Sequence, residues 1–213
     1  MKYLTTLLVI AVLAFSGWKG YQELEARKAE KETVSLIAPI VAYRDIYDTG
    51  RSREANDLLL MSVALLIEAE DKGADPGEIL RVAERVNNTP VNYSDLLTES
   101  LLRNIKIARE LELDTPTNLA LMAEGKSPIV GAGPYAGEKI EVDHIVPRSL
   151  APDLDNLLIN LEMMPRTLNR KKSNKVTERA YSMAKRFFEA GVMTPESWET
   201  VESAEPDESE TNE

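Results

Sequence analysis

Two stretches toward the C-terminal end of the chain, IEVDHIVPR (140–148) and NLEMMPRTLNRKKSN (160–174), carry its strongest pattern. In the first, β-branched residues run up to Pro147, which predicts a strand that ends there. In the second, Leu161 to Met164 can form a return strand, and Pro165 starts a helix with Asn169 one turn in. The pattern therefore predicts a strand–loop–strand–helix unit that brings the end of the first strand beside the start of the helix.

This unit would gather chemically active side chains. It holds the only histidine of the protein, His144, directly after Asp143, and it sets this pair opposite Asn169. A carboxylate and an amide oxygen suit a hard cation such as Mg²⁺ or Mn²⁺, and imidazole can accept a proton near neutral pH. A phosphodiester repels incoming hydroxide unless a cation neutralises its oxygens. The residue types therefore indicate phosphodiester hydrolysis.

The composition limits which metals and fold classes are possible. The chain has 213 residues, of which 43% are hydrophobic, enough for a core in one or two domains. It has no cysteine and one histidine, so disulfides, thiolate zinc sites and multi-histidine centres are excluded. No zinc is expected, and a cofactor would be Mg²⁺ or Mn²⁺ held by oxygen ligands.

The charge is unevenly distributed along the chain. The net charge of −11 argues against nucleic-acid binding by the protein as a whole. From 166 to 186, however, eight basic residues face only Glu178, and from 189 to 213 there are nine acidic residues and no lysine or arginine. We expect contacts with nucleic-acid phosphates, most simply those of DNA, although a solvated helix face is the alternative. The predicted contact residues are Arg148, Arg166, Arg170, Lys171, Lys172 and Lys175.

Residues 1–18 have the features of an export signal or membrane anchor. Lys2 precedes an apolar run from Leu4 to Phe15, and Ser16 suits cleavage before Gly17. The run is shorter than the roughly 20 residues of a comfortable transmembrane helix, so a cleaved signal, an uncleaved anchor and a buried helix all stay open. The first two place the rest of the chain in the periplasm, outside the cell, or tethered to the inner membrane.

The motif resembles that of the HNH, or ββα-metal, endonucleases. The resemblance covers about residues 139–190 and rests on 142–147, Asn160-Leu161 and 169–174. It fits the cysteine-free branch whose last motif residue is asparagine, as in the HNH domain of RNA-guided CRISPR nucleases. The resemblance implies a Mg²⁺-dependent endonuclease that hydrolyses DNA and leaves 5′-phosphate and 3′-hydroxyl ends. A catalytically inactive HNH-like module that binds nucleic acid or protein at the membrane is the alternative.

The resemblance also implies a role for each motif residue. His144 would be the general base, Asp143 and Asn169 would hold one Mg²⁺, and Asn160 would brace the loop. Asn156 also precedes a leucine, but Asn160 has the family's offset from Asn169. Because the zinc-ribbon cysteines of the wider family are absent, bracing of the unit falls to the helical part of the chain.

The predicted fold class is α+β and mainly helical. An export or anchor helix (1–18) and a polar helical spacer (19–32) precede an α-helical domain (33–125) that matches no module known to us. Within it, Asp75, Ser94 and Thr115 are expected to begin helices. A C-terminal ββα-metal module (126–191) and an acidic, disordered tail (192–213) are expected to follow.

Overall fold

The computed structural model of the protein describes residues 2–42, 52–172 and 176–204. The elements, in chain order, are α1 (Lys2–Ile37), α2 (Ser52–Asp71), α3 (Pro76–Asn87), α4 (Val91–Glu110), α5 (Pro116–Ala123), β1 (Ile140–His144), β2 (Leu161–Pro165), α6 (Arg166–Lys172), α7 (Glu178–Glu189) and α8 (Pro195–Glu202). Short 3₁₀ turns, Pro152–Leu154 and Leu158–Asn160, lie between the strands. The predicted mainly helical fold with a small two-stranded sheet is confirmed.

The helical region is built around α2. Its Leu59, Val63, Leu66 and Ile67 are fully buried, and their spacing of three and four residues places them on one face of the helix. Helices α1, α3, α4 and α5 all contact α2. The hydrophobic periodicity of α2 thus organises the helical region, and this region supports the strands.

Two of the three predicted helix starts are confirmed. The Asp75 side chain accepts hydrogen bonds from the first turn of α3, and Thr115 does the same for α5. The prediction for Ser94 is wrong, because α4 already begins at Val91, after Pro90. The Ser94 hydroxyl lies inside the first turn of α4 and instead donates to the buried carboxylate of Glu84 on α3.

Helix α1 runs without a break across the predicted boundaries at residues 18 and 32. Residues 18–24 are exposed, whereas Ala29, Thr33 and Ile37 are buried, and the helix contacts α2 and α3. The residues predicted as a spacer therefore continue into a helix whose last turns belong to the core. Among the described residues, no helix combines the length and apolarity needed to cross a bilayer, and the N-terminal anchor stays a prediction.

Strands β1 and β2 form the predicted antiparallel hairpin. In its register Ile140 faces Pro165, Asp143 faces Glu162 and His144 faces Leu161. Helix α6 follows β2 directly and contacts both strands. Strand, loop, strand and helix thus occur in the order and close to the positions that the sequence predicts.

The helical region braces this hairpin through polar side chains of α4. The fully buried Asn104 donates from Nδ2 to the carbonyl of Leu161 (3.1 Å) and accepts from the amide of Met163 at Oδ1 (2.8 Å). The Ser100 hydroxyl donates to the carbonyl of Leu158 at 2.9 Å. Backbone groups on the outer edge of β2 are therefore satisfied by the helix, as the missing cysteines led us to expect.

A buried ion-pair cluster joins the same strand to two helices. Glu162 of β2 has a side-chain exposure of 8% and lies 3.1 Å (Oε1) from Nε of Arg103 on α4. It also accepts two hydrogen bonds from Arg179 on α7, one of them at 2.7 Å. The strand is thus fixed to α4 and α7 by charge as well as by apolar packing.

The C-terminal region differs from the predicted disordered tail. Residues 195–202 form α8, Val201 is fully buried, and Phe188 stacks on Trp198 with ring centroids 5.4 Å apart. Buried residues from Ala29 to Val201 belong to one hydrophobic cluster. The acidic residues from 205 onward lie outside the described residues.

Candidate active site

Helix α6 meets β1 through residues three positions apart. Arg166, Asn169 and Lys172 share one face of α6 because of this spacing, and Glu141 and Asp143 share one face of β1 because side chains alternate along a strand. The side chains of these two faces are paired along their length. The candidate site is the line of contacts between them.

Asn169 is bonded to Glu141. Its Nδ2 donates to Oε2 of Glu141 at 2.8 Å, and Oε1 of the same carboxylate lies 3.3 Å from Nε of Arg166. The structure therefore brings Asn169 to β1, as predicted, but its hydrogen-bond partner there lies two residues before Asp143. Sequence reasoning missed Glu141, although its position two residues from Asp143 on a strand already places both on one face.

Asp143 is paired with Lys172. The Nζ of Lys172 lies 2.6 Å from Oδ2 of Asp143, and the side-chain exposures are 15% and 21%. The same Nζ donates to the backbone carbonyl of His144. Lys172, which we predicted to contact phosphates, thus lies inside the candidate site as the counter-ion of a predicted metal ligand.

His144 ends β1 and is held by the loop that follows. Its Nε2 lies 2.9 Å from the carbonyl oxygen of Asp155 and 3.0 Å from Oδ1 of the same residue. A carbonyl oxygen can only accept, so Nε2 carries the proton, and in the neutral ring the lone pair lies on Nδ1. Nδ1 is therefore the atom through which this histidine can act as a base. Sequence reasoning missed Asp155, since no local signal marks it.

The loop is fixed by Asn160 rather than by Asn156. Asn160 is fully buried, accepts from the amide of Val146 at Oδ1 (2.8 Å) and donates from Nδ2 to the carbonyls of Val146 (3.0 Å) and Leu154 (3.5 Å). The buried Oδ1 of Asn156 has no hydrogen-bond partner within the described residues. Asn160 therefore ties together the two ends of the loop that carries Asp155. The sequence predicted this bracing role for Asn160.

Four of the eight basic residues between 166 and 186 form ion pairs with acidic side chains among the described residues. Ion pairs join Arg166 to Glu141, Lys172 to Asp143, Arg179 to Glu162 and Arg186 to Glu99. Lys175 lies outside the described residues. Three of the predicted phosphate contacts, Arg148, Arg170 and Lys171, are exposed. Arg148 is 62% exposed at its side chain, with Nη1 3.7 Å from Oδ2 of Asp155, the residue that holds His144.

A cleft of about 680 Å³ borders the site. Glu141, Val142 and Asn169 form one side of it, and Lys139, Lys126 and Asp57 are among the residues lining the rest. The cleft is thus lined by Glu141 and Asn169, whereas Asp143 and His144 are not among its lining residues.

A metal held here would rest on few protein ligands. In the part of the chain that the structure describes, no three acidic, histidine or cysteine side chains converge as a metal cluster. The predicted ligands would supply one carboxylate (Asp143) and one amide oxygen (Asn169 Oδ1), hard donors of the kind that suit Mg²⁺ or Mn²⁺ with water and phosphate as further ligands. This donor chemistry fits the predicted ion. In the structure, Asp143 is paired with Lys172 and Asn169 is bonded to Glu141.

Comparison of the chain with models of protein families, with curated proteins and with solved structures found no match.

Proposed function

We propose that the protein is a metal-dependent endonuclease of the HNH type that hydrolyses phosphodiester bonds of DNA. The observation that carries the proposal is the hydrogen bond from Nε2 of His144 to the Asp155 carbonyl, at 2.9 Å. That bond selects the tautomer with a basic Nδ1 on the residue that follows Asp143, the predicted metal ligand, in the sequence.

His144 would take a proton from the attacking water at Nδ1. The ring would then be cationic, and the nearby Oδ1 of Asp155, 3.0 Å from Nε2, would stabilise that charge. Asn160 keeps Asp155 in place through the two ends of the loop. These residues would act together as one base of fixed orientation.

Asp143 and Asn169 would hold the divalent ion. Bound there, the ion supplies positive charge to the phosphate oxygens and to the leaving oxygen. Lys172 now neutralises Asp143 at 2.6 Å, so its ammonium and the ion would compete for the same carboxylate. Displaced from Asp143, the ammonium of Lys172 would be available to a phosphate.

DNA binding would be weak and independent of sequence. Arg148, Arg170 and Lys171 are the described residues we assign to the phosphates, because they were predicted contacts and are exposed. Few phosphate contacts give a shallow dependence of affinity on salt. The ion pairs of Arg166, Arg179 and Arg186 thus favour a modest, non-specific affinity for DNA.

The Lys172–Asp143 ion pair also favours a second candidate, a module that binds nucleic acid or protein without cutting it. A lysine that permanently satisfies Asp143 would make this predicted carboxylate ligand unavailable to a metal. In that case α6 and the loop would serve only as a docking surface.

The two candidates are separated by cleavage of supercoiled plasmid. The full chain is incubated with Mg²⁺, Mn²⁺ or EDTA beside His144→Ala, with Glu138→Ala as a control that removes one half-buried carboxylate bonded to α6. The endonuclease requires nicking that depends on both metal and His144 and survives in the control. Plasmid binding without nicking, equal in wild type and His144→Ala, identifies the binding module.

We also propose that α1 places the protein at the inner membrane or exports it. Trp18, Tyr21 and Leu24 are 59%, 58% and 64% exposed on one side of α1, directly after the apolar run of the sequence. Tryptophan and tyrosine prefer the membrane–water interface. Cell fractionation with N-terminal sequencing tests this: recovery of the chain in the cytosol with Met1 intact contradicts it.

A further inference from the structure

We propose that Glu141 is a positioning residue that fixes the orientation of the Asn169 amide, so that Oδ1 rather than Nδ2 is offered to the cation. The inference rests on the proposed metal-dependent function. Glu141 lies outside the motif residues that carry the family resemblance. Its role is inferred from its contacts with Asn169 and Arg166.

The chemistry of the contact sets the orientation. An asparagine amide has one end that donates and one end that accepts, and only the accepting oxygen can bind a cation. An ionised carboxylate accepts hydrogen bonds and donates none. Because the atom of Asn169 that lies 2.8 Å from Glu141 is Nδ2, Oδ1 is the end left for a ligand.

Glu141 is itself well placed to act as an anchor. It belongs to β1, whose backbone is paired with β2, and its second carboxylate oxygen lies 3.3 Å from Nε of Arg166. Arg166 and Asn169 are three residues apart on α6, so one carboxylate spans adjacent positions on the same helix face. Strand and helix together therefore hold the carboxylate against rotation.

Without this anchor the amide of Asn169 could turn over. An Nδ2 that faced the ion would present partial positive charge to a cation, and the site would keep only the carboxylate of Asp143. Groups that orient metal ligands from behind typically contribute about 10- to 100-fold in metal affinity. We expect a loss near the lower end, about 10-fold, since the side chain of Glu141 is 35% exposed.

The test measures Mn²⁺ binding to the full chain without DNA, by calorimetry or by loss of the free Mn²⁺ resonance signal. Glu141→Ala should weaken binding about 10-fold, whereas Glu141→Gln, whose amide oxygen can still accept from Nδ2 of Asn169, should restore most of the affinity. Glu138→Ala is the matched control. Glu138 is also a carboxylate bonded to α6, through the amide of Thr167 at 2.9 Å, so its loss should leave Mn²⁺ affinity within about two-fold.

A double-mutant cycle with Asn169→Ala distinguishes orientation from direct ligation. If Glu141 acts through Asn169, Glu141→Ala has no further effect in the Asn169→Ala background. Equal, additive losses for the glutamine and alanine variants would show that Glu141 is itself a ligand and overturn the proposal. Unchanged affinity in Glu141→Ala, with wild type binding Mn²⁺, overturns it while leaving the endonuclease intact. Absence of Mn²⁺ binding by wild type refutes the metal-dependent function and this inference with it.

Discussion

Replacing Asn160 with alanine should destabilise the fold and detach the loop behind His144. The substitution removes the partners of the amide and the carbonyl of Val146, which lie 2.8 and 3.0 Å from the Asn160 side chain and are fully buried. Each buried group left unsatisfied costs about 1–3 kcal/mol, so we expect a loss of about 3 kcal/mol in the free energy of unfolding. In a domain of this size that lowers Tm by about 6–12 °C.

Urea unfolding followed by circular dichroism, with thermal melts alongside, measures this loss, and Asn156→Ala is the control. Asn156 stands in the same loop and also precedes a leucine, but its buried Oδ1 has no partner within the described residues. Its replacement should change the free energy of unfolding by less than about 1 kcal/mol. Equal effects of the two substitutions, or an Asn160→Ala protein as stable as wild type, would refute the assignment of Asn160 as the brace.

Three further predictions concern charged groups. Burial raises the pKa of Glu84, despite its hydrogen bonds from serine and threonine hydroxyls, so its contribution to stability is full below the unfolded pKa and is lost as the pH rises through the folded pKa. Glu84→Gln should therefore unfold at higher urea than wild type at pH 7, with the difference shrinking at pH 4; a difference independent of pH contradicts this. Glu162→Ala leaves Arg103 and Arg179 without their carboxylate and should cost about 3–5 kcal/mol in urea unfolding; a cost below 1 kcal/mol would mean that the cluster contributes little. Lys172→Gln removes the ammonium that competes for its carboxylate partner, so Mn²⁺ should bind several-fold more tightly in calorimetry, and unchanged affinity would exclude the competition.

Local patterns in the sequence were sufficient to predict the hairpin and α6. β-Branched residues before Pro147 and the helix-starting Pro165 gave the order of elements, and the offset from Asn169 selected Asn160 over Asn156. Each of these signals acts within a few residues, or through the alternation of a strand. The elements that these signals predict therefore do not depend on contacts between distant parts of the chain.

Contacts between distant residues could not be predicted in the same way. Ser94 has the residue type of a helix cap, but its hydroxyl bonds to Glu84 on another helix. Among the basic residues from 166 to 186, Arg179 and Arg186 pair with Glu162 and Glu99, which lie 17 and 87 residues away in the sequence. Which residue of α6 meets Asp143 depends on the rotation of the helix against β1, and that is set by packing.

The side chain of Asn104 occupies the position that a third strand would take beside β2, bonding both a carbonyl and an amide of its outer edge. A lone two-stranded hairpin is marginally stable in water, and an open edge invites pairing with other chains. The strand–loop–strand–helix unit (140–172) therefore depends on α4. Grafted elsewhere without α4, it would lose both its support and its protection against aggregation, so any transplant must carry that helix with it.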